Sequence, residues 1–230
     1  MIDLKPTPAR LREHWRYHWW MYALFTVLAV VAANMLFTVT TPKVPYELKV
    51  EVMAVSAYMN DDVAKQWQMD LQTKLTSDQK EVTIQNTPLI EGQEMVIMQV
   101  MMARFTGREG TVLILPGWMF QNFAQGGAFI NLQDIIGEFN VPEGTDLTKG
   151  EAVVGADEEE NIPGEKQLCG IPLDQCKGLG ALLINEDMVL CLPVYAEDNW
   201  ENAKTTANWL LGKVEAPQSV PSAQPSAPAQ

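Results

Sequence analysis

The segment GTVLILPG, residues 110–117, decides the fold class of this chain. A continuous apolar run extends from Thr111 to Leu115, between a glycine on one side and a Pro-Gly pair on the other. A short run bounded by residues that favour turns is typical of a strand covered on both faces. We therefore expect a buried strand at the centre of a sheet.

The residues before this strand predict two strands that alternate with two helices. Leu48 to Val55 alternates apolar and charged side chains, as a strand does. Asn60 or Asp61 caps a helix with one apolar stripe. Val82 to Gln85 forms a second strand, and the helix from Glu91 to Phe105 is apolar nearly all round, which is typical of a buried helix. This order predicts an α/β fold, with one three-layer α/β/α lobe and a mainly parallel sheet. The stripe of the first helix consists of Val63, Trp67, Leu71 and Leu75.

The pattern continues to residue 214, so the predicted domain covers 46–214. Residues 138–165 are rich in Gly, Pro and acid and predict an irregular insertion. Residues 215–230 are mostly Pro, Ser, Ala and Gln, a composition that predicts disorder. The other predicted elements are helices at Trp118–Ala124, Leu132–Ile136 and Asn199–Leu211, and strands at Gln167–Pro172, Ala181–Ile184 and Met188–Val194.

An apolar segment near the N-terminus predicts one transmembrane helix, residues 19–40. No formal charge occurs from Trp19 to Val39, a length that fits a bilayer crossing. A cleavable signal peptide is the alternative, since Ala29 to Ala33 offers small residues. The run is longer than the ~7–15 apolar residues of a signal peptide, which favours an uncleaved signal anchor.

Basic and aromatic residues before this segment predict a membrane interface and an orientation. Indole rings suit the headgroup layer, and basic residues remain on the cytoplasmic side. Residues 1–18 are therefore expected to be a cytoplasmic tail, and the domain extracellular, in a single-pass protein of the cell membrane. The predicted interface residues are Arg12, Trp15, Arg16, Trp19 and Trp20.

The charge distribution excludes nucleic acid as a partner. The chain has a formal charge of −13, and residues 1–18 contribute four basic and two acidic residues. The remainder therefore carries −15, which repels a phosphate backbone. The lipid bilayer is the partner that the apolar segment 19–40 predicts, and a membrane or envelope protein is a further possible partner.

The residue types argue against an enzyme and against a cofactor. Both histidines, His14 and His18, precede the apolar segment, so the domain has no histidine for a nucleophile pair or a metal. A carboxylate-dependent hydrolase is the form of enzyme left open. Cys169, Cys176 and Cys191 match no zinc spacing and predict small buried residues.

Two clusters suggest metals less well than they suggest ordinary structure. A stripe of methionines on the apolar helix offers soft ligands for Cu(I), but Met is also a common core filler. Acidic residues 157–160 offer oxygens for calcium, without the alternating spacing of a calcium loop, so a solvated loop is favoured. The stripe consists of Met95, Met98, Met101 and Met102.

The ends of the predicted strands give the candidate binding residues. Ligands of open parallel sheets bind beyond the carboxyl ends of the strands. Aromatic rings with amide and carboxylate neighbours there suit a sugar, a peptide or a protein surface. The alternative for Trp118 is a cap over the core. The candidate residues are Tyr58, Asn60, Trp118, Phe120 and Asp174.

Several of these segments resemble the first lobe of extracellular solute-binding proteins, the sugar-type receptors of ABC importers. The likeness lies in residues 110–115 with 118–132, in the sequence CGIPL at 169–173, and in Asn199–Leu211. It covers about 48–136 and 166–212. Family members carry a second lobe between these segments, where this chain has about thirty residues. The N-terminal segment also resembles those of small single-pass bacterial membrane proteins.

The resemblance implies a binding module with one lobe. It would dock a protein partner or an extracellular ligand at the membrane. The alternative is a truncated substrate-binding component of an ABC importer for sugar or peptide.

Overall fold

The chain divides into two compact units, Met1–Lys43 and Val44–Gln230. The computed structural model describes residues 8–40, 45–76, 79, 81–155, 164–184 and 187–215. The acidic residues 157–160 and residues 216–230 lie outside this part of the chain. The predictions of a solvated acidic loop and of a disordered tail therefore stay predictions.

The first unit contains one helix, α1, Pro8–Thr40. Its 33 residues correspond to a length of about 50 Å, against about 30 Å for the hydrocarbon core of a bilayer. Among the described residues, one helical segment is long and apolar enough to cross a membrane, Trp19–Phe37, with a mean hydropathy of 1.9. The predicted long apolar helix is therefore present.

The predicted interface residues all lie on α1 before or at the start of this apolar segment. Trp15, Arg16, Trp19 and Trp20 are exposed, and Arg12 lies in the first turns of the helix. The rings of Trp15 and Tyr22 stack at a centroid distance of 5.6 Å. The order of basic and aromatic residues along α1 is thus the one that the interface prediction requires.

The second unit is a mixed α/β domain built on a five-stranded sheet. Its strand order is β2-β1-β3-β7-β6, and β4 and β5 form a separate two-stranded sheet. The strands are β1 Lys49–Ser56, β2 Glu81–Pro88, β3 Val112–Pro116, β4 Glu151–Val154, β5 Glu165–Leu168, β6 Gly170–Pro172 and β7 Met188–Cys191. The helices are α2 Asp61–Gln72, α3 Glu94–Thr106, α4 Gly117–Gln125 and α5 Trp200–Leu211.

The sheet is mostly parallel. Strand β1 pairs in parallel with β2 and with β3, and the connections run through α2 and α3. Strand β7 lies antiparallel to both β3 and β6, so four of the five strands share one direction. The described part of the connection between β6 and β7 contains a 3-10 helix, Lys177–Ala181, and no α-helix of the kind that usually forms the crossover to a parallel neighbour.

The central strands bury side chains on both faces. Val52 and Ile114 face one core cluster, while Met53 and Leu115 face the other. Because successive side chains of a strand point to opposite faces, the two clusters lie on opposite sides of the sheet. Helices α2 and α5 contribute to the first cluster, and α3 and α4 to the second. The prediction that residues 111–115 are covered on both faces is confirmed.

The prediction that the helix from Glu91 to Phe105, observed as α3, is buried is wrong. Only Ile97 and Met101 of α3 are buried, whereas Met95, Val96 and Met102 are 77%, 54% and 57% exposed. The helix packs one face on the sheet, and the described part of the chain leaves the opposite face uncovered. An apolar composition on all sides therefore does not mean here that all sides are in contact.

The segment 138–165 is not irregular throughout. Glu151–Val154 lies within this segment and pairs antiparallel with Glu165–Leu168, which starts at the last residue of the segment. The two strands form a small β-ribbon. Leu147–Gly150 is a short 3-10 helix before it. Strand β4 escapes prediction because four residues are too few to show a period, and β5 overlaps the predicted strand Gln167–Pro172 only at Gln167 and Leu168.

Two predicted elements do not form. In 132–136 there is a turn that leads into a 3-10 helix, and the Asn131 side chain accepts a hydrogen bond from the Gln133 amide (2.9 Å) in this turn. The stretch 181–184 is no strand and contributes one isolated bridge, between Met59 and Leu183. Glycines at 178 and 180 precede it in a 3-10 helix, Lys177–Ala181.

Candidate functional site

The carboxyl end of the sheet has a switch point between β1 and β3. From β1 the chain continues to β2 on one side, and from β3 the next strand of this sheet is β6, which lies on the other side beyond β7. In open α/β sheets a crevice for ligands forms at this place. The residues that follow β1 and β3, including Tyr58 and Trp118, flank this position as the sequence predicted.

The chain itself covers part of this crevice with residues 182–184 and with Asp187. The amide of Asn60 donates to the Leu182 carbonyl at 2.8 Å, and the Ser56 hydroxyl donates to the Ile184 carbonyl at 3.4 Å. On the β3 side, the amide of Gly117 donates to the Asp187 carbonyl at 2.9 Å. Three backbone carbonyls of these residues thus accept hydrogen bonds from residues at the ends of β1 and β3.

Tyr58 and Asn60 have different roles at this edge. The side chain of Tyr58 is 57% exposed and free to contact another molecule. The Asn60 carboxamide oxygen instead accepts from the amides of Asp62 (3.2 Å) and Val63 (3.3 Å) and caps α2. Asn60 therefore has a structural use that accounts for its presence.

The two candidate residues on α4, Trp118 and Phe120, lie in different environments. Trp118 is 38% exposed in the first turn of the helix. Phe120 is completely buried in the second core cluster, where its ring stacks on Phe129 at a centroid distance of 5.6 Å. The prediction of Phe120 as a binding residue needs correction, because the turn of the helix directs it into the core.

Asp174 forms an ion pair that the sequence did not suggest. Its carboxylate lies 2.5 Å from the Lys149 ammonium, and both side chains are partly solvated. The hydrogen bond to Asp174 raises the pKa of Lys149. Lys149 was missed because it belongs to the segment interpreted as an irregular insertion, which the 3-10 helix brings beside the loop after β6. The charge of Asp174 is therefore not free for a ligand.

The outer side of α3 is an uncharged surface, here called the α3 face. No residue from Met95 to Ala103 carries a charge. Its side chains project on successive turns, since positions three and four apart share one side of a helix. The α3 face consists of the exposed residues Met95, Val96, Gln99, Val100, Met102 and Ala103. The sequence signal that would have found it is the spacing of Ile97, Met101 and Phe105, which marks the inner side.

A concave feature lies between α2 and the chain after α5. The rings of Trp67 and Trp209 meet edge to face at 5.3 Å, and the Lys213 ammonium lies 4.7 and 4.2 Å from their centroids. The Trp209 indole N–H donates to Asp70 at 2.9 Å. Burial lowers the pKa of Lys213. These contacts use the aromatic faces to hold Lys213 by cation–π attraction.

An open groove of about 500 Å³ adjoins this cluster. It is lined by Trp67, Gly178, Ala181, Gly212, Lys213, Val214 and Glu215. The volume is within the range of small-molecule sites. The groove was not predicted, because its lining comes from three segments that are distant in the sequence.

The methionine stripe does not form one set of ligands. Met101 is buried in the second core cluster, while Met95 and Met102 are exposed on the α3 face. In the part of the chain that the structure describes, no group of three or more His, Cys, Asp or Glu residues is placed to hold a metal ion.

The three cysteines are buried, as predicted, and form no disulfide with one another. Burial raises the pKa of each thiol, to about 11 for Cys176. We expect iodoacetamide at about pH 8 to leave the native thiols unmodified, because the reactive thiolate is absent and access is blocked. The urea-unfolded chain should react at all three sites. Mass spectrometry counts the adducts, and modification of the native protein at the unfolded rate would contradict the burial.

The same burial makes the stability fall in alkali. An unfolded chain releases thiol protons near the ordinary pKa of 9.0, whereas folded Cys176 retains its proton up to about 11. Burial also raises the pKa of Tyr46 to about 12. The contribution of Cys176 is therefore complete below about pH 9 and is lost as the pH rises to about 11, and that of Tyr46 is complete below about pH 10 and is lost as the pH rises to about 12. Urea midpoints are expected to fall over this interval, and a rise would contradict the account.

Comparisons with known proteins place the chain in no family. No family model, no curated protein and no solved structure matches it.

Proposed function

We propose that this protein is a membrane-anchored, extracytoplasmic interaction module that docks a protein partner through the α3 face. Helix α1 holds the chain in the bilayer, with the interface residues Arg12 to Trp20 at the cytoplasmic side. The −15 charge that the sequence gives to the rest of the chain then lies outside the cell. The basic residues before the apolar segment support this orientation by the positive-inside rule.

The exposure of the α3 face is the observation that carries the proposal. Met95, Val96 and Met102 leave more than half of each side chain in contact with solvent. Contiguous apolar patches on soluble domains mark interaction sites, and methionine adapts its shape to a partner surface. Apolar side chains thus occupy positions of α3 that the described part of the domain does not bury.

The domain architecture fits a module derived from a solute-binding lobe, with three layers and one mainly parallel sheet. Two core clusters on opposite sheet faces, each with its own helices, support this interpretation. The residues that cover the switch point argue against a solute in the usual crevice. A protein partner that binds another surface is compatible with this cover.

A photo-crosslinking amino acid at Val96 in intact cells tests the proposal. We expect one adduct of defined mass that disappears when Met95 and Met102 are both replaced by glutamate, because a charge in an apolar interface must be desolvated. The matched control is the same amino acid at Gln66, an exposed residue of α2. Equal labelling patterns at Val96 and Gln66 would contradict the proposal.

The alternative function is the binding of a small ligand for an importer. The groove of about 500 Å³ beside Trp67 favours it, since an indole with Lys213 and Glu215 nearby suits a sugar or a short peptide. A thermal-shift screen of the full chain with sugars and oligopeptides tests it. A ligand must raise the melting temperature, and substitution of Trp67 by alanine must abolish that rise.

A further inference from the structure

We propose that the partner of the α3 face is a second copy of this chain, with the two α3 helices packed antiparallel about a twofold axis at Gln99. This inference rests on the proposed function, since it names the occupant of the same surface. Three features support a second copy: the symmetry of the face, the charges at its two ends and the chemistry of other occupants.

The α3 face is nearly symmetric about Gln99. Val96 and Met102 lie three positions to either side, and Met95 and Ala103 lie four positions to either side. All are exposed. In an antiparallel pair centred on Gln99, each Val96 therefore meets the Met102 of the other copy, as an isologous interface requires. The two Gln99 carboxamides meet at the axis, where each has both a donor and an acceptor.

The charges at the two ends of α3 favour the antiparallel arrangement. Glu91 and Glu94 lie at the start of the helix, and Arg104 and Arg108 at its end. The arginines also have partners within the chain, Glu109 at 3.9 Å and Asp198 at 3.1 Å. A parallel pair would place four carboxylates together, whereas the antiparallel pair places each acidic end beside a balanced one. The helix dipoles also favour the antiparallel pair, because each positive helix end then lies beside a negative one.

Other occupants fit the α3 face less well. A lipid surface is recognised by basic and aromatic residues, and the face has neither. A basic protein would be attracted by the acidic surface elsewhere and would gain nothing from an uncharged patch. Two copies of a domain this acidic repel each other, and the repulsion is smallest where both surfaces lack charge. Anchoring in one membrane also raises the effective concentration of copies.

Replacement of Gln99 by cysteine tests the twofold axis directly. The variant Gln99→Cys is made in the full chain and treated in native membranes with a short bismaleimide. The native cysteines are buried and give a low background. We expect a covalent species at twice the chain mass of 25.7 kDa. The matched control is Lys65→Cys on α2, which is also exposed and lies off the face.

The addition of Met102→Glu to Gln99→Cys is expected to remove the doubled species. Both positions are exposed, so the fold is retained, and a circular dichroism spectrum like that of the parent chain verifies this. A doubled species no stronger than that of Lys65→Cys overturns the second-copy proposal. If the Val96 adduct contains a different protein, the second-copy proposal fails and the proposed function stands. If no Val96 adduct forms, both fail.

Discussion

Replacing Phe120 by alanine is expected to lower the free energy of unfolding by about 3–5 kcal/mol, which is typical for a buried phenylalanine. Domains of this size have a total stability of about 5–15 kcal/mol, so the change removes a large part of it. Phe120 is fully buried and stacks on Phe129. A Cβ built on Gly170 would lie 3.0 Å from its ring, which shows how closely β6 packs against it.

Trp118→Ala is the matched control for Phe120→Ala. The two residues lie on the same turn of α4, and Trp118 is 38% exposed. Its removal leaves less unfilled space, so a smaller loss of stability is expected. Urea denaturation of the full chain in detergent, followed by pulse proteolysis, measures both. Equal losses for the two variants would contradict the assignment of Phe120 to the core and return it to the binding surface.

Replacing Glu51 by alanine is expected to lower the free energy of unfolding by about 2–3 kcal/mol. Glu51 lies on the central strand β1 and is 3% exposed. Its carboxylate accepts from the Gly110 amide at 2.9 Å and pairs with Lys49 at 3.3 Å. Without the carboxylate, the Gly110 amide has no acceptor in a buried position, and Gly110 holds a turn with φ of +86° directly before β3.

The variant Glu51→Gln separates the hydrogen bond from the charge. The amide oxygen still accepts from Gly110, and only the attraction to the partly solvated Lys49 is lost, at a cost of about 1 kcal/mol or less. The same urea experiment measures the two variants side by side. If glutamine were as damaging as alanine, the ion pair and not the turn would be the main contribution of Glu51.

Patterns of five or more residues were predictable because burial imposes a period on them. The run at 111–115 and the alternation at 48–55 became β3 and β1, and the stripe from Val63 to Leu75 faces the first core cluster. Leu71 is fully buried there, with the other stripe residues partly buried. These elements satisfy their own local pattern and the packing of the domain together.

The features that escaped prediction depend on contacts between distant segments. Nothing in residues 188–191 specifies that β7 runs antiparallel to β3. The strands of the β4–β5 ribbon have too few residues for a period, and the Lys149 to Asp174 pair exists only because that segment returns to β6. For α3, composition suggested burial, whereas the number of other elements available to cover it determined the outcome.

The location of the candidate residues in the fold was predictable from the sequence, but the role of each side chain was not. The strand ends did bring Tyr58, Asn60 and Trp118 to the same edge of the sheet. The segment with Leu182 and Asp187 covers that edge, and its strand-like sequence gave no sign of this. The α3 face became visible only once the packed side of the helix was known.

The most direct test of the account is the accessibility of single cysteines to a membrane-impermeant maleimide. Lys65→Cys reports on the α/β domain, where residue 65 is exposed, and Thr7→Cys reports on the chain before α1. The account predicts that intact cells label Lys65→Cys, and that Thr7→Cys reacts only after the membrane is permeabilised. Labelling of Lys65→Cys only after permeabilisation, or recovery of the domain without α1, would contradict it.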